Sequence, residues 1–230
     1  MKSIYVNNKR LFAFKDINNV IDTLHDNIYV SLGAESIVNK SQKFEDVVNS
    51  SIGYADGEAA VLALKKMNFH SSQKIPGCEL WLEVIRSKPN ARIALIGATV
   101  EVLNGVHNQL KESFPDLNIV FTQDGYYSDE KEIITSISNI KPEFVFIALG
   151  QPKQEVLASR LRAIHSAKYF CVGGSFDVYF GTAERAPKIY IQLKLEWLYR
   201  LLKEPKRALR QRSIPLFLFK YFFDRGFIRE

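Results

Sequence analysis

The chain predicts an α/β fold built on a mainly parallel sheet, and three observations carry that expectation. Short apolar runs of strand length recur at Ile28–Leu32, Arg92–Ile96, Asn118–Phe121, Phe144–Leu149 and Tyr169–Val172. Segments of helical period lie between them, among them Thr99–Phe114 with Val102, Leu103, Val106 and Leu110 on one face, and the similar Lys131–Ile140 and Glu155–Ile164. These segments lead into strands, and for such βα alternation a sheet with helices on both faces is the economical architecture.

Ile28–Leu32 is continuously apolar but for Ser31, as a strand buried on both sides must be. Tyr54-Ala55-Asp56-Gly57 falls between a helical segment and the helix-like run Glu58–Met67, where Asp-Gly reads as a turn or cap. Arg92–Ile96 ends at Gly97-Ala98-Thr99, a strand-to-helix turn that could present a helix N-terminus to a phosphate, although its glycines fall short of a GxGxxG fingerprint. Phe144–Leu149 ends on Gly150 and then offers Gln151-Pro152-Lys153-Gln154-Glu155. Ligands of open α/β sheets settle beyond the carboxyl ends of the strands, so this polar cluster is a candidate site. Tyr169–Val172 runs into Gly173 and Gly174, which permit close backbone approach, and then Asp177, able to accept ribose or base hydrogen bonds. The expected layout is Rossmann-like. From about Ala186 the alternation gives way to a long helical pattern, Tyr190–Gln211, followed by Pro215 and a short aromatic segment, which sets an expected boundary between residues 1–184 and 185–230.

A length of 230 residues with 47% apolar content supports a sizeable core and excludes a disordered chain. Cys78 and Cys171 form neither a framework nor a CxxC pair, which argues for a reducing compartment and against a disulfide scaffold or zinc site. No apolar segment approaches the roughly eighteen residues of a membrane span, and residues 1–10 lack a secretory core, so a cytoplasmic protein is expected. Charge is unevenly divided: residues 185–230 hold 12 Lys/Arg against 4 Asp/Glu, and residues 1–184 hold 19 against 21. Trp197, Tyr199, Phe217, Phe219, Tyr221, Phe222, Phe223 and Phe227 are mixed into that basic tail, as on a surface that meets anionic lipid headgroups. A nucleic-acid-binding patch would also be basic, but an acidic-leaning body and a tail rich in Phe and Leu fit it poorly. Arg200, Arg207 and Arg210, spaced by seven and three, share one face of the tail's helical pattern and form a group of fixed positive charge suited to a diphosphate.

The motifs Ala55-Asp56-Gly57, Ile75-Pro76-Gly77-Cys78-Glu79-Leu80, Gly125-Tyr126-Tyr127, Ala148 to Glu155, Val172 to Asp177, Gly181-Thr182-Ala183-Glu184-Arg185-Ala186-Pro187 and Leu195-Glu196-Trp197-Leu198-Tyr199-Arg200 occur in an order with a precedent. From about Val30 to Gln211 the chain resembles the bacterial WecG/TagA/CpsF glycosyltransferases of cell-surface polysaccharide synthesis. The resemblance implies inverting transfer from a UDP-sugar to a polyprenyl-diphosphate-linked saccharide at the cytoplasmic membrane face. It implies that Asp56 is the general base that takes the acceptor hydroxyl's proton. It also implies that Arg200, Arg207 and Arg210 reach into the site to stabilise the departing diphosphate. Many glycosyltransferases use a divalent metal on an Asp-x-Asp element for that purpose; this chain has none, so catalysis without a metal or other cofactor is expected.

The same resemblance makes Gln151–Glu155 a pocket-lining element, with Gln154 toward sugar or acceptor hydroxyls and Glu155 orienting a partner. It has Gly173, Gly174 and Asp177 cradle the uridine, and leaves Arg185 either structural or in contact with substrate. Two positions depart from the family pattern: Ser31-Leu32-Gly33 replaces Thr-x-Asn, and Lys74 replaces an arginine before the Pro-Gly turn. Ser31 keeps a hydroxyl and Lys74 keeps charge without the planar fork, which points to a different donor or acceptor. His25, His70, His107 and His165 lie outside every matched motif, so surface or packing roles are expected of them. Leu216–Phe223, with Lys220, Arg225 and Arg229 alongside, is the expected membrane-docking segment. The rival classes are a catalytically dead sugar-nucleotide sensor and a nucleic-acid-binding protein.

Overall fold

The computed structural model describes residues 1–184, 186, 187, 189, 190, 193, 197–199 and 212–230. Six parallel strands form the main sheet: β3 (Asn27–Leu32), β4 (Ile52–Ala55), β5 (Arg92–Gly97), β6 (Asn118–Gln123), β7 (Phe144–Ala148) and β8 (Lys168–Cys171). Their order across the sheet is β4-β3-β8-β7-β5-β6. A second, antiparallel sheet joins the two ends of the chain, with β1 (Ser3–Val6) between β2 (Lys9–Phe12) and β9 (Ile228–Arg229).

Both faces of the main sheet are covered. Alternate residues of one strand enter different cores: Ile28, Val30, Ala94, Ile96, Val145 and Ile147 on one side, Tyr29, Ile93, Leu95, Phe144 and Phe146 on the other. The first side is packed by α3 (Gln42–Asn49), α4 (Glu58–Lys66), α7 (Glu130–Ile140) and α8 (Lys153–Arg162); the second by α1 (Ile17–Asp22), α5 (Gly77–Ser87), α6 (Val100–Ser113) and α9 (Ser175–Phe180). An aromatic ladder runs across the second face, with Tyr29 stacked on Phe170 at 4.6 Å, Phe170 against Phe146 at 5.4 Å, and Trp81 edge-on to Phe146 at 5.8 Å.

All five strands expected from the sequence are present, and three features were not expected. Ile52–Ala55 is a strand rather than a turn between helices, so Asp56 lies one residue beyond a strand's carboxyl end. Four residues are too few for a periodic signal when all four are buried. Asn7 and Asn8, both in the left-handed region, turn β1 into β2. Finally, the chain's last residues return to β1, with Val6 opposite Ile228.

That return anchors the described part of the tail. Helix α10 (Ser213–Phe223) packs on α4 and on α2 (Ala34–Val38), sinks Phe217 into the core against Phe227 at 5.4 Å, and accepts at the Tyr221 carbonyl from Lys66 Nζ at 2.7 Å. Lys220 and Arg229, expected beside a membrane face, bind the hairpin turn: Lys220 Nζ donates to Asn7 Oδ1 at 3.2 Å and Arg229 to Asn8 Oδ1 at 3.0 Å. Asn7 also donates from Nδ2 to the Ile37 carbonyl of α2 at 2.7 Å and from its backbone N–H to the Phe227 carbonyl at 2.7 Å, so one residue ties hairpin, helix and tail.

Strands β5 and β7 leave little room between them at Gly97. Gly97 has φ +122°, and a Cβ there would stand 2.3 Å from the Ala148 carbonyl oxygen. Gly150 also has positive φ, +74°, but open space around it. Gly97→Ala should therefore lose at least about 3 kcal/mol of unfolding free energy in urea titrations, because both conformation and contact must give. Gly150→Ala should lose only about 1 kcal/mol, the conformational term alone.

Candidate active site

Successive connections define a crevice at the carboxyl edge of the sheet. The loop leaving β5 feeds α6 on one face and the loop leaving the adjacent β7 feeds α8 on the other, which makes this the topological switch point where α/β sheets bind ligands. The Ala98 amide donates to the Ala148 carbonyl at 3.0 Å and the Ala98 carbonyl accepts from Gly125 at 2.8 Å, drawing the loops after β5, β6 and β7 together. Ala98 itself is left-handed at φ +58°, an unfavourable state for alanine that these two bonds hold. Thr99 then caps α6 by accepting from the Val102 amide at 3.2 Å.

Asp56 occupies one end of the crevice. Its amide donates to the Leu32 carbonyl at 3.1 Å, extending the β3–β4 pairing, and Ile75 donates to the Ala55 carbonyl at 2.7 Å, bringing residues 75–77 alongside. The Gly77 amide, at the start of the eleven-residue α5, donates to Asp56 Oδ1 at 3.2 Å. A helix N-terminus thus faces the carboxylate and favours its negative charge. A side chain at Gly77 would crowd this point, since a Cβ would lie 3.1 Å from Tyr54 Oη, 3.3 Å from Asp56 Oδ2 and 4.0 Å from Ser31 Cβ. Those three side chains converge on one point. Burial first, and then the neighbouring Asp56, push the Tyr54 phenol well above its ordinary value, against a hydrogen bond from Ser31. Tyr54 therefore remains a protonated donor beside a carboxylate. Lys74 is half-buried two residues before Pro76.

Gln151 joins this end to the loop after β7. Its Nε2 donates to the Ser31 carbonyl at 3.2 Å and its Oε1 accepts from Ser36 Oγ at 3.0 Å. Gln154 and Glu155 are fully buried at the first turn of α8. Gln154 Oε1 accepts from the Gly173 amide at 3.0 Å while its Nε2 donates to Glu155 Oε1 at 2.8 Å. Burial pushes the Glu155 carboxyl up to about 7, partly opposed by the Gln154 and Gln151 amides. Its Oε2 has no hydrogen-bond partner among the described residues. Gly173, at φ +55°, and Gly174 form the turn after β8; Asp177 is half-buried on the first turn of α9, and a Cβ at Gly174 would lie 4.0 Å from its Oδ2.

The structure therefore brings together Ser31, Asp56, Gln151, Gln154, Glu155, Gly173, Gly174 and Asp177 at one edge of the sheet. Arg185, Arg200, Arg207 and Arg210 lie outside the described residues. Close to Arg185 in sequence, Glu184 accepts from Tyr199 Oη at 2.9 Å and Ala186 is buried. Tyr54 and Ser36 were not singled out from sequence. Tyr54 could have been, because once Ile52–Ala55 is a strand a residue two before Asp56 shares its side of the chain. Among the described residues no three His, Cys, Asp or Glu side chains form a metal-holding group, and no helix is long and apolar enough to cross a membrane.

The model of the Glycosyl transferase WecG/TagA/CpsF family matches residues 6–229, nearly the whole chain. The chain belongs to this family. It is thus a glycosyltransferase of cell-surface polysaccharide synthesis, with a sugar donor and an acceptor as its substrates. Five of the seven sequence motifs of this transferase, those at Asp56, Gly77, Gly125, Gly150 and Gly173, lie on the loops that border the crevice.

The buried Glu155 carboxyl supplies a test of this geometry. Its folded pKa is raised from an ordinary 4.5 to about 7, so its ionisation opposes folding, not at all below pH 4.5 and fully above pH 7. Unfolding free energy of Glu155→Gln relative to wild type should therefore shift in the variant's favour by roughly 2 kcal/mol from pH 5 to pH 8. Chemical denaturation of both proteins across that range measures it.

Proposed function

We propose that this glycosyltransferase moves a sugar from a UDP-sugar onto a polyprenyl-diphosphate-linked saccharide with inversion, and that Asp56 is its general base. The observation that carries the reading is the position of Ser31, which touches both halves of the crevice: its Cβ stands near the Asp56–Gly77 contact and its carbonyl accepts from Gln151. A sugar seated over Ser31 has a carboxylate on one side and the Gln151 and Gly173 loops on the other. Inversion needs one displacement, so Asp56 has only to take the acceptor proton as that oxygen attacks the anomeric carbon. Tyr54, kept protonated by its burial, lies beside this carboxylate.

Negative charge then develops on the UDP diphosphate. Arg200, Arg207 and Arg210, with fixed charge and bidentate geometry, neutralise it in place of a metal ion. Asp177 and the Gly173–Gly174 turn hold the uridine, and Lys74 and Arg185 complete the substrate contacts. The exposed side of α10, where Phe219, Phe222 and Phe223 are 63%, 70% and 75% accessible, rests on the inner face of the cell membrane and brings the enzyme to its lipid-linked acceptor.

Asp56→Asn should lower kcat by about a thousandfold with donor KM little changed, since only proton removal in the transition state is lost. UDP release from a panel of UDP-sugars and synthetic lipid-diphosphate acceptors measures it, and equal release by both proteins would remove Asp56 from the chemistry. A sugar-nucleotide sensor would release none in either form. Arg207→Ala should lower turnover by about a hundredfold, and chelator should leave wild-type turnover unchanged. Replacing Phe219, Phe222 and Phe223 by Ser should weaken flotation with anionic liposomes by more than about tenfold at an unchanged melting temperature, because none of the three is core.

A further inference from the structure

Two hydrogen-bonded pairs of polar side chains lie beneath the crevice: Ser36 with Gln151, and Glu155 with Gln154, whose far end holds the Gly173 amide. They lie under the ends of β3, β7 and β8, which are neighbours in the sheet. Gln154 and Glu155 are 1% and 0% accessible, so neither has a face to offer a ligand in the crevice. What they control is orientation. An amide side chain can present either its oxygen or its NH2 to a neighbour, and the two differ only by a half turn. Glu155 Oε1 is an acceptor and so draws the NH2 of Gln154, which leaves the Gln154 oxygen pointing at the Gly173 N–H. The turn that holds is one only glycine adopts easily, at φ +55°, with open space on the side a Cβ would occupy.

We propose that Gln154 and Glu155 are positioning residues that never touch substrate, and that their relay fixes the Gly173–Gly174 turn in the conformation that binds the nucleotide end of the donor. This rests on the UDP-sugar reading above. The acidic member of the relay faces inward: Glu155 Oε1 accepts from the Gln154 amide, and burial, which raises its carboxyl to about 7, disfavours a full charge beneath a site that must accept a polyanion. Glu155 faces the Gln151 and Gln154 amides and, on β8, Cys171, whose thiol burial and Glu155 together hold well above its ordinary pKa.

The pair can be inverted. Gln154→Glu alone sets two carboxylates against each other and should speed exchange of the Gly173 amide and weaken UDP binding, each by about tenfold or more, the worth of one charge-assisted hydrogen bond. Adding Glu155→Gln restores an acceptor for Gly173 and a donor for residue 154, and should return both to within about threefold of wild type. Gln154→Met, which removes the acceptor at similar length, gives a second point should the single charge variant fail to fold. The measurements are NMR exchange of the Gly173 amide, UDP titration calorimetry, and steady-state KM for donor and acceptor. Loss of UDP affinity in step with Gly173 exposure, with donor KM raised and acceptor KM unchanged, is the expected result. A UDP affinity that stays low in the double variant while Gly173 is protected again would mean that the Gln154 amide touches the ligand, and would overturn the proposal. So would a Gly173 amide indifferent to the substitutions. If wild type binds no UDP but Gly173 follows the relay, the nucleotide reading falls and the relay stands.

Discussion

Covering both faces of the parallel sheet is the constraint from which the rest of the molecule follows. Strands hidden on both sides admit almost only apolar side chains, so the polar groups of the body gather where strands end. At the carboxyl edge each strand must hand over to a helix, and the amides and carbonyls released there need partners. Asp56, Gln151 and Gln154 answer that need, each accepting from or donating to the backbone of a different element: the start of α5, the end of β3 and the turn after β8. The groups that finish the fold are the same groups that make the crevice polar. A substitution there therefore acts on structure and chemistry together.

The sheet was legible where apolar runs were long and flanked by helical period, as for Phe144–Ala148 and α6. It was not legible at Ile52–Ala55, whose four buried residues carry no alternation, nor in the hairpin, where Asn7-Asn8 between Tyr5-Val6 and Leu11-Phe12 was a turn signal passed over. Return of Ile228 to β1 spans nearly the whole chain and has no local signal at all. For the site, residue types and order identified which loops matter, because glycines and amides after strands have few other uses. Orientation was beyond reach. Nothing in Pro-Lys-Gln-Glu says that the lysine is exposed while the glutamine and glutamate turn inward; that depends on where α8 begins relative to β7.

The tail is held at its far end by polar bonds to one turn and by Phe217 and Phe227 in the core. Its helix α10 packs on α2 and α4, and those two helices begin directly after Ser31-Leu32-Gly33 and after Asp56-Gly57. The surface proposed to meet lipid is therefore built on the elements that carry the proposed base and its neighbour. Movement of one against the other would have to break the Asn7 contacts, which fixes the height of the crevice above any surface on which α10 rests.

Charge distribution gives the proposed reaction its last requirement. The body leans acidic, and its crevice carries Asp56 and Asp177 in addition to the sequestered Glu155. A base must be anionic to accept a proton, whereas a departing diphosphate is repelled by carboxylates and needs cations of its own. Most of the chain's excess positive charge lies in residues 185–230, which hold the arginines proposed to meet the diphosphate. On the proposed reading the anionic base stands on the body and the cationic clamp on the tail. Leaving-group stabilisation and membrane contact are then both proposed for the tail, which would favour donor cleavage where an acceptor is at hand.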